Sequence, residues 1–506
     1  MKKYDALSKG LKREIAKRKI SFHMPGHKGR IDMMNEDFFE MDYTFESSQK
    51  AYKNNAETYL TMSQNQAATI YRSQRVFYLA GGEDSGIYAM LTLCLKEGEK
   101  IIVDRNCKKA VIDAIILIGA IPVFITGVYM PRYDFLAPVD ADDVEYAISQ
   151  HSDAKAVLLT SPTPYGCVAD IKSIASVVHK NEMYLLVDES EGGHFSFSQR
   201  LPASSTRLGA DFTVQSLSKS LGSLLGTGVL HVNTNDFVSS KIIETIDMYQ
   251  MSNPSFALYS ISEKAVSKAF SSARKFKTLT DTINKCATFV NECTKAYWVD
   301  GDIKETVFDF DITKIVVNFA YTTLSGYDVA RKLNDEYGIE VETCDDFNIV
   351  CTATIYNKTS EIKRLANAIV AIVEGSAKKV GETEFVTRNP IHNLKIIPRD
   401  AYFGEGELIN IDESIGRISK NVISKNNHPA ILVPGEEITE LHVKVIMEAK
   451  DDFIFGLREG NLIEVVKKSW FYTGCMVKWN YKFDLKRKDV LLYETYIGNN
   501  KWSGRQ

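Results

Sequence analysis

The 506-residue sequence has no long apolar run, no paired-cysteine motif and no excess of one charge sign. No apolar segment approaches the roughly 20 residues that a membrane-spanning helix needs, and the N-terminus lacks a signal-type apolar segment, so we expect a cytoplasmic protein without a membrane partner. The 61 basic and 65 acidic residues give a net charge of −4, which indicates no basic surface for nucleic acid. A small-molecule ligand is therefore the better expectation.

The eight cysteines are scattered, without a Cys-x-x-Cys pair and without a histidine at metal-ligand spacing. We therefore expect free thiols in a reducing compartment and no metal site. A hydrophobic content of 44% with 25% charged residues is ordinary for a globular protein. The length is sufficient for a large core and two or three domains.

Apolar segments of strand length alternate with amphipathic helical segments from about residue 65 onward. This alternation is typical of a mostly parallel sheet with crossover helices. A long helical segment at 260–296 leads into a smaller α/β unit, in which 339–342 is predicted as a strand. The strands predicted for the larger unit are 76–79, 100–103, 122–125, 156–159, 184–187 and 212–214.

Asp188 and Lys219 each follow one of these predicted strands. Asp188 ends the apolar run 183–187, and Lys219 closes the sequence SLSK after the strand at 212–214. Open α/β sheets bind ligands at the carboxyl ends of their strands. A pyridoxal phosphate enzyme needs a lysine amine for the cofactor's aldehyde and a carboxylate that keeps the pyridine nitrogen protonated. The pair predicts a pyridoxal phosphate site, although a Ser-Lys pair after a strand is also ordinary loop chemistry.

The turn GGEDSG at 81–86 connects a predicted strand to a predicted helix. Backbone N–H groups and the helix dipole hold phosphate groups at such turns. Glu83 and Asp84 oppose this interpretation, because carboxylates repel phosphate, and they equally suit a helix cap without any ligand. We expect Lys108, which follows the next strand, to compensate their charge. The expected phosphate donors are Ser85 and Gly86.

Several longer segments resemble the ornithine/lysine/arginine decarboxylase family, whose members are pyridoxal phosphate enzymes of the aspartate aminotransferase fold. The resemblance extends from about residue 23 to about residue 440, with the segments in the family's order and spacing. The segments that carry it include FHMPGHKG at 22–29, TSPTPYG at 160–166, VDES at 187–190, QSLSK at 215–219 and LVPGEEIT at 432–439.

The resemblance implies an α/β protein of fold type I, with a large domain built on a mostly parallel sheet of the seven-stranded type. It also implies a small α/β domain and an appended C-terminal α+β domain. Because the site of this fold usually forms between two subunits, a homodimer or higher homo-oligomer is expected. The implied parts of the chain are an N-terminal arm at 1–45, the large domain at 46–300, the small domain at 301–378, and the C-terminal domain with an unplaced tail at 379–506.

The function that the resemblance implies is decarboxylation of arginine, lysine or ornithine through a Schiff base on Lys219, which gives a polyamine-type amine and CO₂. Asp188 is the implied partner of the pyridinium nitrogen, and Ser190 is implied to pack beneath the ring. Sequence alone does not select the amino acid. The remaining implied cofactor-binding residues are Ser85, Gly86, Lys108, Ser216 and Ser218.

The departures from the family pattern fall on this site. Histidine is usual in the family at the positions of Lys108, Glu191 and Ser218, and a Ser/Thr pair is usual where this chain has Glu83-Asp84. Two alternatives therefore stay open. One is a pyridoxal phosphate enzyme with a changed reaction or an unusual amino-acid substrate, and the other is a non-catalytic paralogue that pairs with an active homologue or acts as a binding module.

Overall fold

The computed structural model describes residues 17, 19–23, 25–28, 57–251, 254–376, 393–425, 429–448, 454–458 and 461–468. The sequence also predicts a helix over about the first 20 residues and a charged linker at 378–389. Nearly all of that helix, the linker and nearly all of the last forty residues lie outside these ranges. The expected N-terminal arm is described only around residues 17–28.

The secondary-structure elements are numbered in chain order within the described residues. The first are β1 (Ile20–Ser21), α1 (Glu57–Tyr71), β2 (Arg75–Leu79), α2 (Gly82–Cys94), β3 (Lys100–Asp104), α3 (Lys109–Ile118), β4 (Ile121–Ile125), β5 (Tyr129–Met130), β6 (Phe135–Leu136), α4 (Ala141–Gln150), β7 (Ala156–Thr160), β8 (Cys167–Val168), α5 (Ile171–Lys180) and β9 (Tyr184–Asp188). There follow β10 (Phe212–Ser216), α6 (Leu217–Ser220), β11 (Gly228–Val232), α7 (Ser239–Asp247), α8 (Phe256–Phe270) and α9 (Ala273–Cys293).

The second half of the chain contributes shorter elements. They are β12 (Tyr297–Trp298), β13 (Asp309–Phe310), β14 (Lys314–Asn318), α10 (Gly326–Tyr337), β15 (Ile339–Glu340), β16 (Thr343–Cys344), β17 (Asn348–Thr352), α11 (Thr359–Val373), α12 (Pro398–Phe403), β18 (Gly406–Asn410), β19 (Ser424–Lys425), α13 (Glu440–Glu448), β20 (Ile454–Phe455) and β21 (Leu462–Val466).

A seven-stranded sheet of order β2-β11-β10-β9-β7-β3-β4 forms the centre of the larger unit. Its β10-β9-β7-β3-β4 portion is parallel, whereas β11 is antiparallel to both of its neighbours. Strands β7 and β10 are buried along their whole length, as expected for parallel strands that helices cover on both faces. The predicted fold class, a mostly parallel sheet with crossover helices, is confirmed.

The topology brings several strand ends to one edge of the sheet. Val214 on β10 pairs with Asp188 on β9, so the segments that follow these two strands leave the sheet side by side. Strand β2 runs in the same direction as β10, because β11 is antiparallel to both, and the start of α2 therefore lies at the same edge. Strand β3 also ends there, shortly before Lys108.

A smaller antiparallel sheet of order β12-β14-β17-β16 packs with α9, α10 and α11 around Trp298 and Phe319. The predicted strand at 339–342 is shorter than expected: only Ile339–Glu340 pairs, in parallel, with β1. This pairing attaches the segment around residue 20 to the smaller unit.

The single helix predicted for 260–296 is wrong, because α8 and α9 are separate helices that meet at Ser271 and Ser272. Both serine hydroxyls donate to the carbonyl oxygen of Lys268, at 2.9 Å and 2.7 Å. Side-chain bonds of this kind compete with the backbone hydrogen bonds of a helix. The periodicity of the apolar residues continues across this break, which is why the sequence pattern did not reveal it.

The C-terminal segments pack against the larger sheet through a buried ion pair. Arg105, just after β3, donates from Nη2 to Glu436 Oε2 at 3.0 Å, and the two side chains are 1% and 0% exposed. The same Glu436 oxygen accepts the N–H of Val433 at 2.8 Å. Glu436 therefore joins two parts of the chain. None of the helices in the described ranges combines the length and the apolar composition that crossing a membrane requires.

Candidate cofactor site

Lys219 lies in the short helix α6, directly after β10, and its side chain is 15% exposed. The segment around Gly26 packs on the turn that carries it, since the N–H of Gly26 donates to Ser218 O at 2.8 Å. A Cβ atom at position 26 would lie 2.5 Å from Lys219 O, so only glycine permits this approach. The motif FHMPGHKG thus supports the backbone of the lysine.

Asp188 ends β9 and is buried, with 3% exposure. Its Oδ1 accepts the backbone N–H of Ser190 at 3.0 Å and also the Ser190 hydroxyl. Lys108 Nζ donates to Ser190 Oγ at 3.3 Å. Burial lowers the pKa of Lys108, but attraction by Asp188 and Glu83 outweighs burial, and the pKa ends above its ordinary value. The structure therefore places Ser190 and Lys108 beside Asp188.

The start of α2 is occupied by the side chain of Glu83. Glu83 belongs to the first turn of α2, and its side chain is 17% exposed. Glu83 Oε1 lies 3.4 Å from Lys108 Nζ and 3.7 Å from Lys219 Nζ. Burial raises the pKa of Glu83, but the two ammonium groups lower it further, so the net shift is downward. Asp84 Oδ1 lies 2.8 Å from Lys108 Nζ, which confirms that Lys108 compensates both carboxylates.

The expected phosphate donors divide into two groups. Ser216 and Ser218 lie together, with their hydroxyl oxygens 3.1 Å apart. Ser85 turns its hydroxyl towards its own helix and donates to Gly82 O at 2.8 Å. At Gly86, a Cβ atom would lie 2.6 Å from Val214 Cγ2, so this glycine allows α2 to pack on β10. The hydroxyls at 216 and 218 thus lie side by side, whereas the Ser85 hydroxyl bonds within α2 and Gly86 packs on β10.

Lys219 also belongs to a chain of alternating charges that sequence reasoning did not foresee. Glu191 Oε1 accepts a hydrogen bond from Lys219 Nζ. Glu191 Oε2 lies 2.7 Å from Lys314 Nζ. Lys314 Nζ lies 3.1 Å from Glu342 Oε1 and donates to Thr352 Oγ1 at 2.7 Å. The only signal for Lys314 was a charged residue opening the apolar strand KIVVN.

The charges in this chain shift one another strongly. Burial lowers the pKa of Lys219, yet Glu191 and Glu83 raise it well above its ordinary value. Burial raises the pKa of Glu191, yet Lys219 and Lys314 lower it far below its usual range. Lys219 is therefore held as an ammonium ion that donates a hydrogen bond to the Glu191 carboxylate.

Lys28 borders this chain of charges. Its Nζ donates to two backbone carbonyls, His23 O at 2.7 Å and Thr352 O at 3.0 Å. Burial lowers the pKa of Lys28 to about 8, against an opposing attraction from Glu342. The N-terminal motif therefore contributes an amine that titrates near neutral pH.

Two parts of the site differ in how they suit pyridoxal phosphate. We name Asp188, Ser190 and Lys219 the ring end, and Glu83, Asp84, Lys108 and Ser216 the phosphate end. Contacts between neighbouring groups run without a gap from Asp188 through Ser190, Lys108 and Glu83 to Lys219, so both ends line one site. The ring end offers the carboxylate and the amine that the pyridine ring and the aldehyde require.

The phosphate end does not suit a phosphate group. Glu83 lies in its helix start, and the Glu83 carboxylate already contacts the two nearby ammonium groups, those of Lys108 and Lys219. Two like unit charges about 4 Å apart repel by roughly 4 kcal/mol at an effective dielectric constant near 20. The residues present therefore fit the ring and the aldehyde of the cofactor and do not fit its phosphate.

The fold defines the class of protein. The lysine decarboxylase of Francisella novicida superposes with a TM-score of 0.69 at 16% identity, covering 85% of this chain and 75% of that chain. The constitutive lysine decarboxylase of E. coli has a TM-score of 0.69 at 15% identity, with coverages of 91% and 81%. These neighbours show that the chain has the fold type I architecture of pyridoxal phosphate enzymes.

The chain belongs to the Orn/Lys/Arg decarboxylase family, because the model of the family's major domain matches residues 5–313. An arginine decarboxylase of Bacillus subtilis is 27% identical over 456 residues, which cover 87% of this chain and 93% of the relative. An arginine decarboxylase of Halalkalibacterium halodurans is 29% identical over 445 residues, with coverages of 85% and 90%. These comparisons support a decarboxylase enzyme, and family and fold together imply dependence on pyridoxal phosphate.

Proposed function

We propose that this protein decarboxylates a basic amino acid, namely arginine, lysine or ornithine, and releases a polyamine-type amine and CO₂. The observation that carries the proposal is the pair at the ring end, Asp188 and Lys219, at the carboxyl ends of neighbouring parallel strands. The basic side chain of the substrate is inferred from the relatives, which are arginine decarboxylases.

In this proposal Lys219 Nζ would carry the cofactor and Asp188 would hold a proton on its ring nitrogen. A bound pyridoxal-type cofactor supplies an aldehyde and an electron-accepting ring. The N–H and hydroxyl of Ser190 fix the Asp188 carboxylate, so its orientation is set before any ligand enters. An orienting donor pair of this kind lowers the cost of reorganisation during the reaction.

Glu191 has the second role, at the amine. It hydrogen-bonds Lys219 Nζ and favours the ammonium form. An ammonium ion is not a nucleophile, so the amine must lose a proton before it attacks an aldehyde. Glu191, which also lies 2.7 Å from Lys314 Nζ, opposes that loss because its carboxylate stabilises the ammonium form of Lys219.

The proposal includes a homodimer or higher homo-oligomer in the cytoplasm, with the four-part division of the chain given by the family resemblance. The exposed apolar side chains Leu225, Met248 and Met251, at 61%, 66% and 53% exposure, support burial by a second copy. Leu225 precedes Gly226, whose carbonyl accepts the N–H of Gly82 at the start of α2. Sedimentation velocity at micromolar concentration should give the mass of at least two chains, and a single-chain mass would contradict this part.

A non-catalytic member of the family is the second candidate function. The specific observation in its favour is that Lys219 Nζ contacts two carboxylates, Glu191 and Glu83, and that Lys108 Nζ contacts Glu83 and Asp84. A site neutralised in this way resists a charged ligand. In this candidate the retained ring end has a structural role only.

The experiment that separates the two candidates combines trapping with product analysis. The purified protein is incubated with pyridoxal phosphate or pyridoxal, reduced with borohydride and mapped by peptide mass. Release of CO₂ is then measured with a panel of amino acids that includes arginine, lysine and ornithine. Label at Lys219 with CO₂ release from a basic amino acid supports the proposal.

The other outcomes are equally informative. Label at Lys219 with a product other than CO₂ indicates a changed reaction. Label without any product favours the non-catalytic candidate, and absence of label at Lys219 contradicts the proposal. The control variant Lys172→Ala removes an exposed lysine of α5 and should leave label and products unchanged.

A further inference from the structure

We propose that the Glu83 carboxylate takes the place of the cofactor's phosphate, so that this site does not favour pyridoxal phosphate over unphosphorylated pyridoxal. The inference rests on the proposed function, because it concerns the form of the aldehyde that Lys219 carries. It follows from the mismatch between the ring end and the phosphate end.

The first supporting observation is the position of the Glu83 carboxylate. It belongs to the first turn of α2, and its Oε1 lies 3.4 Å from Lys108 Nζ and 3.7 Å from Lys219 Nζ. A helix start and ammonium groups are the two kinds of feature that hold a phosphate group in proteins. The carboxylate is attached to the chain, so it occupies this position at a local concentration that no free ligand reaches.

The second supporting observation concerns the positive charges around this position. Lys108 Nζ contacts Glu83 Oε1 at 3.4 Å and Asp84 Oδ1 at 2.8 Å. Lys219 Nζ contacts Glu83 at 3.7 Å and is hydrogen-bonded to Glu191. Both ammonium groups are thus engaged by carboxylates of the chain. A phosphate dianion entering here would have to displace Glu83 or share its cations with it.

The third observation is that covalent capture of an aldehyde uses none of these phosphate-end donors. Lys219 Nζ, once deprotonated, forms a C=N bond with the aldehyde carbon, and the carbonyl oxygen leaves as water. Asp188, held by the N–H and hydroxyl of Ser190, would meet the ring nitrogen. An aldehyde without a phosphate therefore meets the groups it needs and avoids the repulsion at the phosphate end.

The chain offers a matched control within one turn of helix. Glu83 is 17% exposed in its side chain and contacts Lys219, whereas the adjacent Asp84 is 55% exposed and pairs with Lys108. Glu83→Thr and Asp84→Thr each remove one negative charge and introduce the same hydroxyl. The inference predicts a large effect for the first variant and a small effect for the second.

The experiment measures apparent affinities for pyridoxal phosphate and pyridoxal from the fraction of Lys219 labelled after borohydride reduction. The wild type should bind the two aldehydes with affinities within about threefold, and Glu83→Thr should bind the phosphate ester at least about tenfold more tightly, with pyridoxal little changed. Asp84→Thr should change the ratio by less than Glu83→Thr. Thermal unfolding of each variant confirms that it is folded, and Glu83→Gln provides a second test without a change of shape.

A preference of the wild type for pyridoxal phosphate by about a hundredfold, or a ratio unchanged in Glu83→Thr, would overturn this inference while leaving the proposed function intact. If borohydride reduction fixes no aldehyde on Lys219 in any of the proteins, the proposed function is contradicted instead. The inference is then decided by calorimetry with pyridoxine 5′-phosphate and pyridoxine, which lack the aldehyde. A gain of about tenfold for the phosphate ester alone in Glu83→Thr supports it, and no gain overturns it.

Discussion

The ring end and the phosphate end lie in one site but are built differently. At the ring end, a buried carboxylate is fixed by two hydrogen bonds from Ser190, and the lysine follows the neighbouring strand. At the phosphate end, Lys108 forms ion pairs with Glu83 and with Asp84 at the start of α2. The comparison shows that this fold can keep the residues that bind an aldehyde covalently while it changes the residues that would anchor a phosphate.

The physical reason lies in the specificity of each interaction. The ring end requires two particular side chains at two strand ends, because only an amine captures an aldehyde and only an acid of the right position holds a ring proton. The start of a helix attracts any anion, including a carboxylate of its own first turn. The phosphate end can therefore exchange a ligand's charge for one of its own without any change of backbone.

The largest expected effects concern the ring end. Lys219→Ala should abolish both label and CO₂ release, because no other amine occupies its position. Asp188→Asn should reduce turnover by about 10²- to 10³-fold, the range found when one preorganised hydrogen-bonding group is removed from an active site. Stopped assays of CO₂ release test both variants beside Lys172→Ala. Wild-type turnover in either ring-end variant would refute the assignment of these two residues.

Glu191→Gln should produce the next largest effect, because it removes the shared partner of two buried ammonium groups. Removing one member of a buried ion pair costs about 3–5 kcal/mol, so we expect a loss of about 3 kcal/mol in the free energy of unfolding at pH 7. Glu340→Gln, which breaks the more exposed pair of Glu340 with Lys19, should cost less than about 1 kcal/mol. Urea unfolding measures both.

The same variant has a defined pH signature. The folded pKa of Glu191 lies far below its unfolded value of 4.5, so its stabilisation is present above that value and is lost as the pH falls towards the folded pKa. Glu191→Gln should lack this loss. Because Glu191 raises the pKa of Lys219, the variant should also capture pyridoxal at lower pH than the wild type. An unchanged pH midpoint of capture would contradict the role of Glu191 at the amine.

Glu189, which follows Asp188 in the chain, is expected to have a smaller effect, on the pH dependence of stability. It is buried beside Asp188 and accepts hydrogen bonds from Ser204 Oγ at 3.0 Å and Ser205 Oγ at 2.5 Å. Burial raises its pKa to about 7, above the value of 4.5 in the unfolded chain. Its favourable contribution is thus complete below pH 4.5 and is lost as the pH rises through about 7.

Glu189→Gln should remove that pH dependence. The variant stays uncharged, so its stability relative to the wild type should rise by about 2 kcal/mol between pH 5 and pH 8. Urea midpoints at the two pH values measure the difference. A constant difference between the two proteins would show that Glu189 does not change its charge in this range.

The smallest expected effect is at the phosphate end. Lys108→Ala leaves Glu83 and Asp84 without this partner, but the Lys108 side chain is 28% exposed, so the loss in stability should be about 1 kcal/mol. In a background that carries Glu83→Thr and Asp84→Thr, the same substitution should cost nothing measurable. This double-mutant cycle isolates the ion pairs, and an equal cost in both backgrounds would contradict the network.

The sequence was most informative where neighbouring positions act together. Alternating apolar runs predicted the parallel sheet, and the strand ends placed Asp188 and Lys219 at one edge because parallel strands finish on the same side. Lys108 was predicted to offset Glu83 and Asp84 because it follows the next predicted strand along the chain, and the structure shows both contacts. The assignment of cofactor-binding roles to these residues stays a prediction.

Other features depend on how distant parts of the chain pack. Lys314 and Glu342 belong to the smaller unit and meet Glu191 only when the two units come together. No local sequence pattern predicts such a contact, because each of these residues taken alone is an ordinary charged side chain near a strand. The burial of Glu436 against Arg105 has the same origin, because the two residues are far apart in the sequence.

A crystal structure of the wild type soaked with pyridoxal phosphate tests the central claim most directly. The account predicts that the ring lies against Asp188 with its aldehyde carbon at Lys219 Nζ, that Glu83 still lies at the start of α2 beside Lys108, and that no phosphate is ordered there. A phosphate group bonded to Ser216 and the first turn of α2, with Glu83 turned away, would contradict it.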